Sequence, residues 1–370
     1  MNSKERMMIA INKGVPDRLP VTLHQWQEYH LNKYMSGLDV VEASKKLGFD
    51  CSYQYLEDYG QALNIGGVES IKCSKYWHKE TIIDHKDGNN VRMTHKICTP
   101  KGNLQYKTEG NLQTTWITEP MVKKKDDIEL LKFMPISRLD HKAINKAYDH
   151  LGDAGILRGF IWGDQAGCWQ HVCVLHGTEK MIWAAIDYPN WVHEFLRILL
   201  DKKLTWIEEN MPKAKFDIVE TGGGAASSTV ISPKMYEEFC LPYDREINDA
   251  LHRAGQLAVH HTCGGMYGLF DLIIANYTDA SETLTPKIQG GNIDGYELYE
   301  AMHGKVSLIG GMAQSLLENG TTEEIQDEVY RLFEVFGQNG GYICSSCDHF
   351  FEVPVRNLVA FARAAIDCKY

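Results

Sequence analysis

The sequence has no apolar run long enough to cross a bilayer; roughly 18 uncharged hydrophobic residues in succession would be needed, and none occur. It also lacks an excess of positive charge. Lys and Arg number 38 against 49 Asp and Glu, for a net charge of −11, which argues against nucleic acid as a partner, because phosphate binding needs a clustered basic surface. The one tight basic run, Lys123-Lys124-Lys125, is followed at once by Asp126 and Asp127 and reads as a solvated turn. Internal repeats and low-complexity stretches are absent as well. The opening residues, MNSKERMMIAINKG, carry charges at Lys4, Glu5 and Arg6 and no long apolar stretch or small-residue cleavage site. They do not read as a secretory signal. The expectation is a cytoplasmic protein without a membrane partner, whose 10 cysteines are core thiols, metal ligands or catalytic groups.

What recurs is an apolar, β-branched run of about six residues followed by a helical pattern. The candidate strands are LPVTLHQ (19–25), CSYQYL (51–56), ILRGFIWG (156–163), FDIVETG (216–222), LAVHHTC (257–263), TDASETL (278–284), VSLIGGM (306–312) and GYICSSC (341–347). Near-continuous apolar runs separated by helices indicate parallel strands covered on both faces. Eight of them, in 370 residues of which 44% are hydrophobic, point to an α/β protein, a (β/α)8 TIM barrel forming a single domain over residues 1–370. The helices carry their own punctuation. Ser232 and Pro233 read as an N-cap and first helical position, and Thr321 with Glu324 has capping-box spacing. Residues 69–120 break the rhythm. They alternate polar and apolar residues around the turns KDGNN and PKGN, as an antiparallel β meander inserted into the barrel would.

In such a barrel the chemistry sits where strands end. Glu220 ends one candidate strand, and His261 and Cys263 end the next. Glu282 lies near the end of a third, and Cys344, Cys347, Asp348 and His349 close the last. His261 and Cys263, two apart, share a strand face. They are either an N/S pair suited to Zn2+ or part of a buried strand that holds a stray thiol. A third ligand from another strand end would complete a three-ligand site with an open position, and Cys347 is the choice for it. Cys344 and Cys347 also form a C-x-x-C, but on a strand their thiols would face opposite sides, and no second such pair exists. Cys344 is therefore read as a core thiol, and His260, opposite in facing to His261, as structural. Asp348 and His349 either orient a ligand or are exposed loop residues.

The stretches AINKGVPDRLPVTLHQW, TPKGNLQYK, WITEPMVKKKDDIELLKFM, ISPKMYEEFCLPYDREINDALHRAGQLAVHHTCGG, SLIGGMAQSLLENGTTEEIQDEV and GGYICSSCDHF resemble the uroporphyrinogen decarboxylase superfamily. The resemblance runs from about residue 13 to the C-terminus and implies a distorted (β/α)8 barrel. Decarboxylases of that superfamily carry an arginine-rich segment after the first strand, whereas PVTLHQWQEYHLNKY, residues 20–34, has no arginine. The zinc- and corrinoid-dependent methyltransferase branch carries His-x-Cys and one distant Cys, which His261, Cys263 and Cys347 match. The closing motif is one residue shorter than the family's usual form. That leaves Cys344 or Cys347 as the third ligand, and the aspartate after Cys347 resembles the family's Cys-Asp.

This resemblance implies a zinc-dependent methyltransferase that moves a methyl group between a small methylated substrate, a methyl ether being the preferred reading, and the cobalt of a separate corrinoid protein. The alternative is a methylcobalamin:thiol methyltransferase of the coenzyme M type. A uroporphyrinogen decarboxylase or a non-catalytic zinc- or corrinoid-binding barrel ranks below both. No segment resembles a cobalamin-binding module, so the corrinoid (cobalamin) would be carried by a partner. Glu220 is either a displaceable fourth zinc ligand, a proton donor to the leaving group or a rim carboxylate. His24, Trp26, Trp162 and Asp164, at or just past other strand ends, are candidates to line the substrate pocket.

Overall fold

The computed structural model describes residues 1–55, 73–111, 114–163 and 167–370. Thirteen strands are present among them. In chain order they are β1 (Val21–Thr22), β2 (Cys51–Gln54), β3 (Cys73–Ser74), β4 (Trp77–Asp87), β5 (Asn90–Thr99), β6 (Gly102–Gly110), β7 (Thr115–Glu119), β8 (Gly155–Phe160), β9 (Ile218–Gly222), β10 (Ala258–His261), β11 (Ala280–Thr283), β12 (Ser307–Met312) and β13 (Tyr342–Ser346). Each of the eight apolar runs read from the sequence coincides with one barrel strand, β8 starting one residue ahead of its run. The barrel strands are parallel in the order β1-β13-β12-β11-β10-β9-β8-β2, and helices cover the outside, as an α/β TIM barrel requires.

The ladder is not continuous at the seam between β1 and β2, where Asp50 takes its place. Its N–H donates to the Val21 carbonyl at 2.8 Å, and its Oδ2 accepts from the Val21 N–H at 3.1 Å. Arg6 and Arg18 donate to the same carboxylate at 2.7 and 3.0 Å. The buried charge at the seam is therefore both paired and hydrogen-bonded, which a buried carboxylate requires.

The N-terminal end of the barrel has a floor. The helix Ser3–Ile11 starts at a capping box between Asn2 and Glu5, so its first N–H groups are satisfied as it enters. Its inner face, Met7, Ala10 and Ile11, packs against Ile156, Ile218, Val259, Ala280, Ile309 and Ile343, one residue from each of six strands. Burial of a side chain the size of Met7 or Ile11 contributes about 1.5–3 kcal/mol.

The outer helices begin where their caps predict. Ser232 accepts from the Met235 N–H ahead of the helix Pro233–Phe239, and Thr321 with Glu324 forms the capping box of the helix Thr322–Leu332. Strands β3 to β7 form a separate antiparallel sheet. The β4–β5 hairpin turns at Gly88, whose φ of +55° suits a residue without a Cβ. The β5–β6 hairpin turns after Thr99, opposite Gly102. Trp77, Ile97, Leu104 and Tyr106 bury one side of the sheet in the same core as Met121, Val122 and Leu130. Among the described residues, no helix is long and apolar enough to cross a membrane.

Candidate metal centre

At the C-terminal end of the barrel, side chains from separate strands converge on His261. Parallel pairing places His261 of β10 directly beside Glu282 of β11, and the His261 Nδ1 lies 3.0 Å from Glu282 Oε1. A carboxylate can only accept, so Nδ1 carries the proton and Nε2 is the nitrogen left for a metal. The same Glu282 Oε1 accepts from Arg158 Nη2 of β8 at 2.6 Å, and that Nη2 also donates to Glu220 Oε2 of β9 at 2.8 Å. Glu220 Oε1 lies 3.9 Å from His261 Nδ1, on the same side of the ring as Glu282.

All four groups are buried, and their charges settle one another. Burial pulls against ionisation of Arg158, but the Glu282 and Glu220 carboxylates hold its guanidinium above its usual value. Burial likewise opposes ionisation of Glu282. The Arg158 charge, joined by His24 and His261, wins and holds this carboxyl far below the usual range. Burial would lower His261, yet Cys263 and Glu220 raise it well above an ordinary imidazole.

Of the two thiols singled out with His261, Cys263 contacts the imidazole and Cys347 lies near Cys263, but the group whose ligand atoms all lie within 4.8 Å of one another is His24, His261 and Glu282. Cys263, just past the end of β10, hydrogen-bonds the imidazole. The β9 loop packs so closely on it that a Cβ on Gly224 would stand 2.5 Å from its Sγ. Cys347, one residue past β13, is 2% exposed and near enough to Cys263 to feel its charge. Its thiol donates to Met312 O at 3.0 Å and Gln289 Oε1 at 3.3 Å, and burial pushes it up to about 12. An imidazole already oriented by a carboxylate and a thiol in contact with it, with a second thiol near the first, are donors of the N/S type that zinc takes.

Cys344 is fully buried in the hydrophobic core, hydrogen-bonds the Tyr342 side chain and is raised to about 12 by burial. His260 faces the helix layer, with Nε2 3.2 Å from the Tyr236 hydroxyl and Nδ1 3.2 Å from Asn276 Nδ2.

The remaining candidates are spread around the mouth. His24 is buried with its Nδ1 3.9 Å from Glu282 Oε2 and its ring 5.2 Å from that of His261. Ligand atoms of His24, His261 and Glu282 lie within 4.8 Å of one another, a second, N/O-type donor set. Its backbone is held by Ser346 Oγ and Gln54 Nε2. Trp26 is turned to Ser44 and Phe350, and Trp162 to His171. Asp164 lies outside the described residues. Asp348 caps His349, whose Nδ1 contacts Gln25. Arg158 is the residue that sequence reasoning missed. A lone arginine inside the apolar run ILRGF was its signal, since a charge there must find a buried partner.

The profile of the uroporphyrinogen decarboxylase (URO-D) family matches residues 106–367, and the chain belongs to that family. No curated protein sequence matches it. Among solved structures it is similar to a methyltransferase from Methanosarcina mazei, at 13% identity and a TM-score of 0.67 over 99% of this chain and 98% of that one. It is also similar to a B12-independent methionine synthase from Shewanella sp. W3-18-1, at 10% identity and a TM-score of 0.49 over 95% and 96% of the two chains. At 13% identity the likeness to the Methanosarcina protein is one of fold.

Proposed function

We propose that this barrel is a zinc-dependent methyltransferase. It would take a methyl group from a small methylated compound, a methyl ether in the first instance, to the cobalt of a corrinoid carried by a partner protein. The observation that carries the reading is the His261 imidazole, oriented by Glu282 and contacted by Cys263, with the Cys347 thiol near Cys263 at the mouth of the barrel. Membership of the family supports it, and the absence of arginine from residues 20–34 separates the chain from a decarboxylase that binds a polycarboxylate.

Zinc held by His261, Cys263 and Cys347 would supply a Lewis acid to the heteroatom that bears the methyl group. The chain's own residues do the rest. Glu282 fixes the tautomer and angle of His261. Glu220 backs the same ring with negative charge at 3.9 Å. His24, buried beside His261, presents a polar edge to a substrate seated in the mouth. The corrinoid protein would dock over the rim and bring its cobalt into line with the methyl group.

The test is direct. Zinc-loaded protein is mixed with cob(I)alamin and a panel of methyl ethers, methylamines and thioethers, and methylcobalamin formation is followed by absorbance. A separate arm offers methylcobalamin to thiols. Methylation from an ether supports the proposal, and demethylation by a thiol supports the coenzyme M type of reaction instead. Silence in both arms removes the methyltransferase reading.

A further inference from the structure

Two donor sets overlap at His261. One is sulfur-rich, with Cys263 and Cys347; the other is the His24, His261 and Glu282 group, whose ligand atoms lie within 4.8 Å of one another. They compete for one ring. While Nδ1–H donates to Glu282 at 3.0 Å, only Nε2 can ligate, and Glu282 stays outside the coordination sphere. If Glu282 turns to a metal, that hydrogen bond is lost.

Arg158 stands between the two arrangements. Its Nη2 reaches Glu282 Oε1 at 2.6 Å and Glu220 Oε2 at 2.8 Å, so one guanidinium is paired with both buried carboxylates. Glu282 Oε1 is then saturated by Arg158 and His261 together. Glu282 Oε2 accepts no hydrogen bond among the described residues and faces His24 Nδ1 at 3.9 Å. A carboxylate with one free oxygen in a buried pocket is a metal ligand in waiting, and its counter-charge is what keeps it from being recruited. We propose that Arg158 is a positioning residue that selects the sulfur-rich donor set, by holding Glu282 as the partner of His261 and away from the metal. The inference rests on the reading that His261, Cys263 and Cys347 hold a metal. Its partners lie 62 and 124 residues away in sequence, so it acts across the inside of the barrel, from β8 to β11.

The experiment uses the full-length protein saturated with Co2+, whose thiolate-to-cobalt charge-transfer band in the near ultraviolet reports sulfur ligation. Metal analysis of the same samples gives occupancy. Wild type is expected to show the band. Arg158→Met is expected to bind about one cobalt per chain with the band reduced by about half or more, as a carboxylate replaces sulfur. Arg158→Met/Glu282→Gln, which removes the competing charged ligand, is expected to recover it. A band of native strength in Arg158→Met overturns the proposal, and so does a weakened band that the second substitution fails to restore. Should Arg158→Met not fold, Arg158→Gln with and without Glu282→Gln makes the same comparison, because Gln keeps a polar side chain but removes the counter-charge. Wild type without any charge-transfer band would overturn the metal-centre reading and this proposal together, whereas a native band in both wild type and Arg158→Met overturns the role of Arg158 alone.

Discussion

His261 Nδ1 and Glu282 Oε1, 3.0 Å apart on adjacent parallel strands, form a contact that fixes both the tautomer and the direction of the imidazole. Glu282→Gln keeps the shape but removes the charge behind the ring. Loss of such a carboxylate partner costs metal affinity, here about 10–100-fold, to be read by zinc competition against a chromogenic chelator. Unchanged affinity would mean that the contact plays no part in holding a metal.

The two cysteines of the last strand have opposite surroundings. Cys347 sits beside Cys263 past the strand end, whereas Cys344 is packed in the core. Cys347→Ala is therefore expected to empty the site of zinc, with little change in thermal midpoint. Cys344→Ala should keep the metal and lose about 1–2 kcal/mol of stability as a small buried group is deleted. Elemental analysis and a melting curve on both variants decide it. The reverse pattern would transfer the third ligand to Cys344.

Gly224 offers a way to disturb the centre without touching a ligand. A methyl group there would meet Cys263 Sγ at 2.5 Å and Cys263 O at 3.2 Å, so Gly224→Ala must push the thiol aside. The fold is expected to survive, because the clash is confined to one short side chain and its carbonyl, while zinc affinity falls at least about tenfold. A variant that binds zinc as wild type does would show that Cys263 does not contribute its sulfur.

Asp244 provides the pH dependence. It is fully buried, and burial raises its carboxyl from 3.8 to about 7 against the opposing effects of Lys203 and the Tyr236 hydrogen bond. Its folded value is raised, so its contribution to stability is complete below the unfolded value near 3.8 and is lost as pH rises through about 7. Between pH 5.5 and pH 8 that loss amounts to about 2 kcal/mol. Urea unfolding at the two pH values should show wild type losing that much more than Asp244→Asn. Parallel behaviour of the two proteins would contradict the assignment.

The barrel was legible in the sequence because each parallel strand, buried on both sides, writes itself as an unbroken apolar run. The runs overreach the ladders. LPVTLHQ yields only Val21 and Thr22, since Pro20 has no N–H to give and the neighbouring seam is closed by the Asp50 side chain. Apolar character continues through Leu23 for the sake of the core, not of hydrogen bonding. At the centre, His261, Cys263, Cys347, Glu220 and Glu282 could be picked out as strand-end groups, but the pairing of His261 with Glu282 and the role of Arg158 could not be. Glu282 meets His261, and Arg158 meets Glu282, through barrel curvature and strand register, which spacing along the chain does not encode. Charged residues inside apolar runs were the trace that these partners left.

The floor laid by Met7, Ala10 and Ile11 makes the barrel a cup rather than a tunnel. In the proposed reaction a small methyl donor and a bulky cobalt carrier must use the same opening. The donor has to be seated before the carrier arrives, and the demethylated product leaves after the carrier withdraws. Turnover should therefore follow a compulsory order, and an excess of carrier should slow it by capping empty cups. Initial rates measured across a grid of both reactants would show that inhibition, relieved as the small donor is raised.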